Sequence, residues 1–172
     1  MTKIQNNKLI GYLAAHSPII LLYFSVLNEF DFNYLGFKYF SFNFSYILIF
    51  YYSLKKSQSL GYGLIFIAGL INDVVIGIPI GISSLNFLLI CGFAAYLRNI
   101  TLRPSLIKDW IFFSITISFI NTISYIMLIF IFKYEINYFD LAINNLFTFL
   151  FYFIFSYLFN IFEETIGRKY ND

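Results

Sequence analysis

Apolar runs recur six times along the chain, each interrupted by only a few polar residues. They cover about Leu9–Leu27, Phe40–Leu54, Leu60–Ile76, Pro79–Leu97, Ile107–Phe132 and Phe139–Phe162. A helix needs about 20 apolar residues to cross about 30 Å of hydrocarbon, and most of these runs approach that length. The expected fold class is an all-α integral membrane protein, with six transmembrane helices in a single transmembrane domain over residues 1–172. Charged residues make up 12% of the chain, half the roughly 25% of a soluble domain. The second run is short, and the third and fourth are joined by almost nothing, so these two spans need independent support.

Charge placement supplies it. With six spans and both termini cytoplasmic, the inner segments carry Lys3, Lys8, Lys55, Lys56, Arg98, Arg103, Lys108, Arg168 and Lys169. The outer loops keep only Lys38 and Lys133, beside Glu29, Asp31, Glu135 and Asp140. That is the positive-inside asymmetry of a multi-pass protein. Removing the second span would carry Lys3 and Lys8 across the membrane and spoil it. Aromatic residues fall where interfacial belts belong: Tyr12, Tyr51, Tyr52, Tyr62, Tyr96 and Trp110 inside, Tyr34, Tyr39, Tyr134 and Tyr138 outside. The first run follows two lysines, as in a signal peptide. It exceeds the roughly 7–15 residues of a signal's apolar region and lacks a small-x-small site after it, so a retained first helix is expected.

Within the third and fourth runs lies GLINDVVIGIPIG, residues 69–81. Gly61, Gly69, Asp73, Gly77 and Gly81 are separated by multiples of four, a spacing that stacks residues on one helix face. The first four make a nearly side-chain-free stripe that is expected to let another helix approach closely, the small-xxx-small logic of membrane packing. Gly81 and Ser83-Ser84 are expected to keep the entrance to the next helix narrow and polar. The chain then breaks at Gly77, and Pro79 suits the first turn of the next helix, where an amide would be unpaired anyway. Asp73 lies one turn before the break, within reach of the free amides that open the fourth helix and favour an anion. Two roles follow for Gly69, Asp73, Gly77, Pro79 and Gly81: a structural latch for a tight hairpin, or a docking point for a partner. The two are compatible.

Other polar residues carry less. His16 precedes Ser17-Pro18 and is expected to bond a neighbouring helix. Asn86, Ser114, Thr116, Ser118 and Asn121 are expected to hold helices together. Arg98, Arg103, Lys108 and Asp109 form a charged loop facing solvent or headgroups, and Glu163-Glu164 an ordinary tail. The chain has a single histidine and a single cysteine, Cys91. No metal-ligand spacing such as HExxH can be drawn, and no Ser-His-Asp set assembled. GIPIGIS lacks the Lys and Ser/Thr of a phosphate-binding loop. No catalytic residue, metal or cofactor is expected, and the net charge of +2, with its basic residues scattered, points away from nucleic acid.

The pattern Gly69-Leu70, Asp73, Gly77-x-Pro79-x-Gly81, Leu85 resembles the signature of the bacterial rod shape-determining MreD family, roughly GLxxDxxxGxPLGxxAL. Tyr51-Tyr52-Ser53-Leu54 resembles the aromatic pair that often ends that family's second helix, and Asp109-Trp110 the acidic-Trp pair opening its fifth. Ile80 and Ser84 depart from the usual Leu and Ala, and no proline–acid pair opens the second span. The resemblance implies a non-enzymatic component of the cell-elongation and peptidoglycan-synthesis machinery in the inner membrane. Its partners would be a single-span MreC-type protein and, through it, MreB, RodA and a class B penicillin-binding protein. It also implies a compact bundle resembling the substrate-binding subunits of energy-coupling-factor transporters. That likeness supplies the alternative, a vitamin-binding membrane subunit, against which the outer loops offer few convergent polar groups. A pore would need a line of polar side chains, and only His16 and Asp73 are ionisable within the spans.

Overall fold

The structure, a computed structural model, describes residues 16–27, 41–56, 59–101, 105–135 and 137–171, with side chains as far as residue 165. These residues form six helices and no strand. They are α1 (His16–Leu27), α2 (Phe44–Lys55), α3 (Tyr62–Ile76), α4 (Ile82–Ile100), α5 (Leu106–Phe130) and α6 (Tyr138–Asn171). The expected order of elements holds, but their ends move. α2 starts four residues later than its apolar run, α4 starts at Ile82 rather than Pro79, and α6 continues well past Phe162. Residues 9–15 of the first expected span lie outside the described residues.

α2 is the axis of the bundle. Its sequence, FSYILIFYYSLK, is apolar on every face, and a helix apolar all round must be surrounded. All ten residues from Ser45 to Leu54 are buried. α4 packs along it on one side and α6 on another, while α3 packs most intimately on α4, and α5 bridges α4 and α6. α1 closes a further side by burying Leu22 and Val26 and joining its Ser25 hydroxyl to that of Ser45, 2.8 Å away. Tyr51 and Tyr52, expected in an interfacial belt, are core residues at 1% exposure. They lie on the central helix, against Phe159 of α6. Tyr62, Tyr96, Tyr134 and Tyr138 are exposed, and Tyr12, Tyr34 and Tyr39 lie outside the described residues.

Rings join the second layer. Phe113 of α5 stacks on Tyr152 of α6 at 4.3 Å, and Phe50 of α2 meets both. Phe151, Phe155 and Phe159 recur every fourth residue on α6 and pack on Phe42, Phe44 and Tyr52. Trp110 lies flat on Phe149 at 4.3 Å and donates its indole N–H to the Phe149 carbonyl.

The outer faces of α5 and α6 are apolar, while their inward faces mix polar with apolar side chains. The inward face of α5 carries Asp109, Thr116, Asn121 and Ser124, all buried, whereas Ile111, Ile115, Phe119, Ile126 and Phe130 are exposed. α6 likewise buries Thr148 and Ser156 and exposes Leu146, Leu150, Phe153, Ile154 and Leu158. Among the described residues, two helices are long and apolar enough to cross a membrane, Leu106–Phe130 and Tyr138–Thr165. α2, with 12 residues, is about 18 Å long.

Candidate functional site

The α3–α4 hairpin is built by residues 69–83. Asp73, on the last turn of α3, is fully buried. Its Oδ2 accepts the Gly81 amide at 2.6 Å and its Oδ1 the Ser83 amide at 2.8 Å. Both donors belong to the start of α4, where amides lack intrahelical partners and carry the positive end of the helix dipole. A buried carboxylate is tolerated here because two charge-assisted hydrogen bonds and a dipole hold it. Beside it, Asn72 donates to the Ser83 hydroxyl at 2.8 Å, and the Ser84 hydroxyl to the Phe66 carbonyl at 2.9 Å. From the α5–α6 connection, the Tyr134 hydroxyl reaches the Gly77 carbonyl at 3.0 Å.

The glycines do not share one job. Only Gly69 is a close-approach site: a Cβ there would lie 2.6 Å from the Ser84 amide nitrogen and 2.7 Å from its hydroxyl. Gly77 has open space around its α-carbon, which corrects the expectation that it belongs to a close-packing stripe, and so has Gly81. Their requirement is conformational. Gly77 has φ 76° and ends α3 as a left-handed cap, its amide and that of Ile78 both returning to the Asp73 carbonyl. Gly81 has φ 108°, which turns its N–H toward the Asp73 carboxylate. Gly61 is the extended residue before α3. Pro79 is not in the first turn of α4, as expected, but in the connection before it, two residues ahead of the Gly81 cap. The carboxylate caps α4 at Gly81 and Ser83, so the helix begins only after the proline has turned the chain.

The opposite end of the bundle holds a cluster that sequence reasoning missed. Asp109 does not face solvent in a loop. It lies 2% exposed in the first turn of α5 and pairs with Lys55, in the last turn of α2, at 3.0 Å. Each charge sits at the helix end whose dipole favours it. Arg98 donates to the Ser53 carbonyl at 2.9 Å, satisfying a carbonyl near the end of α2, and Tyr51 donates to Asn160 at 2.7 Å. Glu163 pairs with Lys56 at 3.1 Å. Lys108 is exposed, and Arg103 lies outside the described residues. The only signal in the sequence was the coincidence of Lys55 at one helix end with Asp109 at another helix start.

The polar residues expected to join helices divide. Asn86 donates to the Tyr46 hydroxyl and accepts from Ser124, while Asn121 bonds Asn145, so both link helices. Thr116 bonds the Phe112 carbonyl of its own helix, and Ser118 is exposed. His16 is exposed on the first described turn of α1.

Between the hairpin and the start of α2 lies a cavity of about 530 Å³, whose polar groups come mostly from the helices rather than from the outer loops. Six asparagines line it: Asn43, Asn72, Asn86, Asn121, Asn137 and Asn144. They are partly knitted together, since Asn43 donates to Asn144 and Asn144 to the Ser41 hydroxyl, each at 2.9 Å. The Asn43 amide bonds the Thr148 hydroxyl at 2.9 Å, which ties the chain entering α2 to α6. The chain has no match among family models, curated proteins or solved structures.

Proposed function

We propose that the chain is a six-span, non-enzymatic scaffold of the bacterial inner membrane, of MreD type, which holds a single-span MreC-type partner in the cell-elongation machinery. The observation that carries the reading is the hairpin. Each polar or special residue of the resemblance has a distinct mechanical part there: Asp73 clamps the start of α4, Gly69 admits its backbone, and Gly77 and Gly81 take conformations that other residues resist. A motif used in this way builds a surface rather than a reaction centre.

Membrane placement is supported by the polar side chains buried on α5 and α6 and by the large apolar side chains exposed on α3, α5 and α6. A soluble monomer rarely exposes continuous apolar surface of that extent. In this reading α2 can be short because its neighbours enclose it. Irregular backbone at membrane depth is tolerated where protein or a water-filled cavity covers it, and the bonds from Asn43 to Thr148 and Asn144 supply that cover. Lys55, Lys56, Arg98 and Lys108 mark the cytoplasmic end, and the hairpin faces outward.

The test is to read the genes neighbouring this one, to co-express the tagged chain with any single-span coiled-coil protein encoded there, and to deplete the chain in cells. Co-purification in mild detergent and rounding of rod-shaped cells are expected. A neighbouring ATPase pair, with co-purification of those subunits instead, would support a second reading as a micronutrient-binding transporter subunit. The polar cavity is the observation that favours that alternative.

A further inference from the structure

Asparagine and serine side chains inside an apolar bundle are costly unless they meet one another, water or a ligand. The cavity near the hairpin holds more hydrogen-bonding capacity than its own network uses. The side-chain oxygens of Asn43, Asn72 and Asn121 accept nothing from the described residues. Nor are they sealed away, because the sealed side-chain atoms without partners among those residues are the Tyr152 hydroxyl and Ser156 Oγ, neither of which lines the cavity. Tyr46 accepts from Asn86 and keeps its own phenolic proton to donate. Free donors and acceptors thus stand together, with the aromatic side chains of Phe42, Phe44, Phe87 and Tyr125 beside them.

Charge narrows the ligand. No Lys, Arg or His is among the described residues lining the cavity, so none of those residues compensates an anion. Glu135 and Asp140 line it too, but both are exposed, so they stand at its mouth, where they repel anions. Deeper, Asn86, Asn121, Ser83 and Ser124 are buried and uncharged. Asp73 lies next to two lining residues, yet it is fully buried and both its oxygens are engaged by α4 amides. A cationic ligand finds no free carboxylate in the buried part.

We infer that this cavity binds a small neutral molecule rich in hydroxyl groups, of mono- or disaccharide chemistry. Hydroxyls donate and accept at once, which matches a wall of amides, serines and a phenol. The C–H faces of a sugar ring match the aromatic side chains. A cavity of about 530 Å³ falls within the range of small-molecule sites. The inference concerns the cavity alone and holds whether the protein is a scaffold or a transporter subunit.

Calorimetric titration of the purified protein tests it with three disaccharides of similar size. Cellobiose is neutral, cellobionate is an anion, and chitobiose, with free amines, is a cation; maltose and N,N′-diacetylchitobiose widen the neutral set. At least one neutral sugar is expected to bind saturably, more tightly than chitobiose, with cellobionate excluded. Asn121→Leu should weaken that binding by about tenfold or more, the effect of losing one or two hydrogen bonds in a site. A second variant, Glu135→Gln with Asp140→Asn, changes only exposed mouth residues and remains informative if the first fails to fold. It should weaken the exclusion of cellobionate, narrowing the gap between the anion and the neutral sugars; exclusion as complete as in the wild type would contradict the role given to the mouth. Absence of saturable binding by every neutral sugar, or tighter binding of chitobiose, would overturn the inference.

Discussion

Replacing Asp73 by Asn retains size and one oxygen but cannot retain both bonds. The carboxylate accepts the Gly81 amide with one oxygen and the Ser83 amide with the other. An amide side chain has a single oxygen, and its NH₂ must oppose whichever N–H remains. The Ser83 amide is buried and the Gly81 amide half-exposed, so the favoured orientation gives the oxygen to Ser83 and leaves Gly81 to water. A hydrogen bond to a charged group contributes about 1.5–3 kcal/mol, so Asp73→Asn should destabilise by about that amount. Asp73→Ala abandons both amides and should cost roughly 3–6 kcal/mol, a large share of the roughly 5–15 kcal/mol that stabilises a domain. Equilibrium unfolding in mixed micelles measures both variants through Trp110, the chain's sole tryptophan, which is stacked between α5 and α6. If Asp73→Asn unfolds with the wild type while Asp73→Ala does not, the two-amide clamp is wrong and one bond suffices.

Further outcomes follow from the same geometry. Gly69→Ala should already destabilise the hairpin by about 1–3 kcal/mol through overpacking on Ser84, readable in the same unfolding assay. Gly77→Ala should cost about 1–2 kcal/mol for the left-handed conformation and no more, because its Cβ would meet no atom within 4 Å; a clearly larger loss would restore the packing stripe. Lys55→Met strands Asp109 as a buried unpaired charge and should destabilise by about 3–5 kcal/mol, with Lys55→Met/Asp109→Leu recovering most of it. In a Cys91→Ser background, a cysteine at Tyr138 should react with an impermeant maleimide in intact cells and one at Lys108 should not; labelling at Lys108 would reverse the orientation.

Much of the architecture was legible because bilayer-length apolar runs and short charged breaks admit few alternatives to a helical bundle. Asp73 was legible for a related reason: a carboxylate one turn before a helix break has few donors within reach except the next helix's amides. The role of Gly77 was not, since fourfold spacing looks alike whether a glycine admits a neighbour or turns the chain. Tyr51 and Tyr52 were misplaced because a tyrosine near a helix end has the same local sequence in a belt and in a core. Only the enclosure of α2 by four neighbours distinguishes these cases. Pairs such as Lys55 with Asp109, or Asn43 with Asn144, join residues far apart in the chain, and no local pattern announces them. The cavity is a product of those same distant approaches.

Photo-crosslinking from the hairpin tests the proposed docking surface most directly. Val74 and Ile80 flank the Asp73 latch and are 68% and 72% exposed, so a photoreactive amino acid at either position disturbs no buried contact. In growing cells, crosslinks from Val74 or Ile80 to the single-span partner are expected. Ile115, on the exposed face of α5, should give few. Crosslinks from Ile115 with none from Val74 or Ile80 would place the partner elsewhere and contradict the assignment of the hairpin as its docking surface.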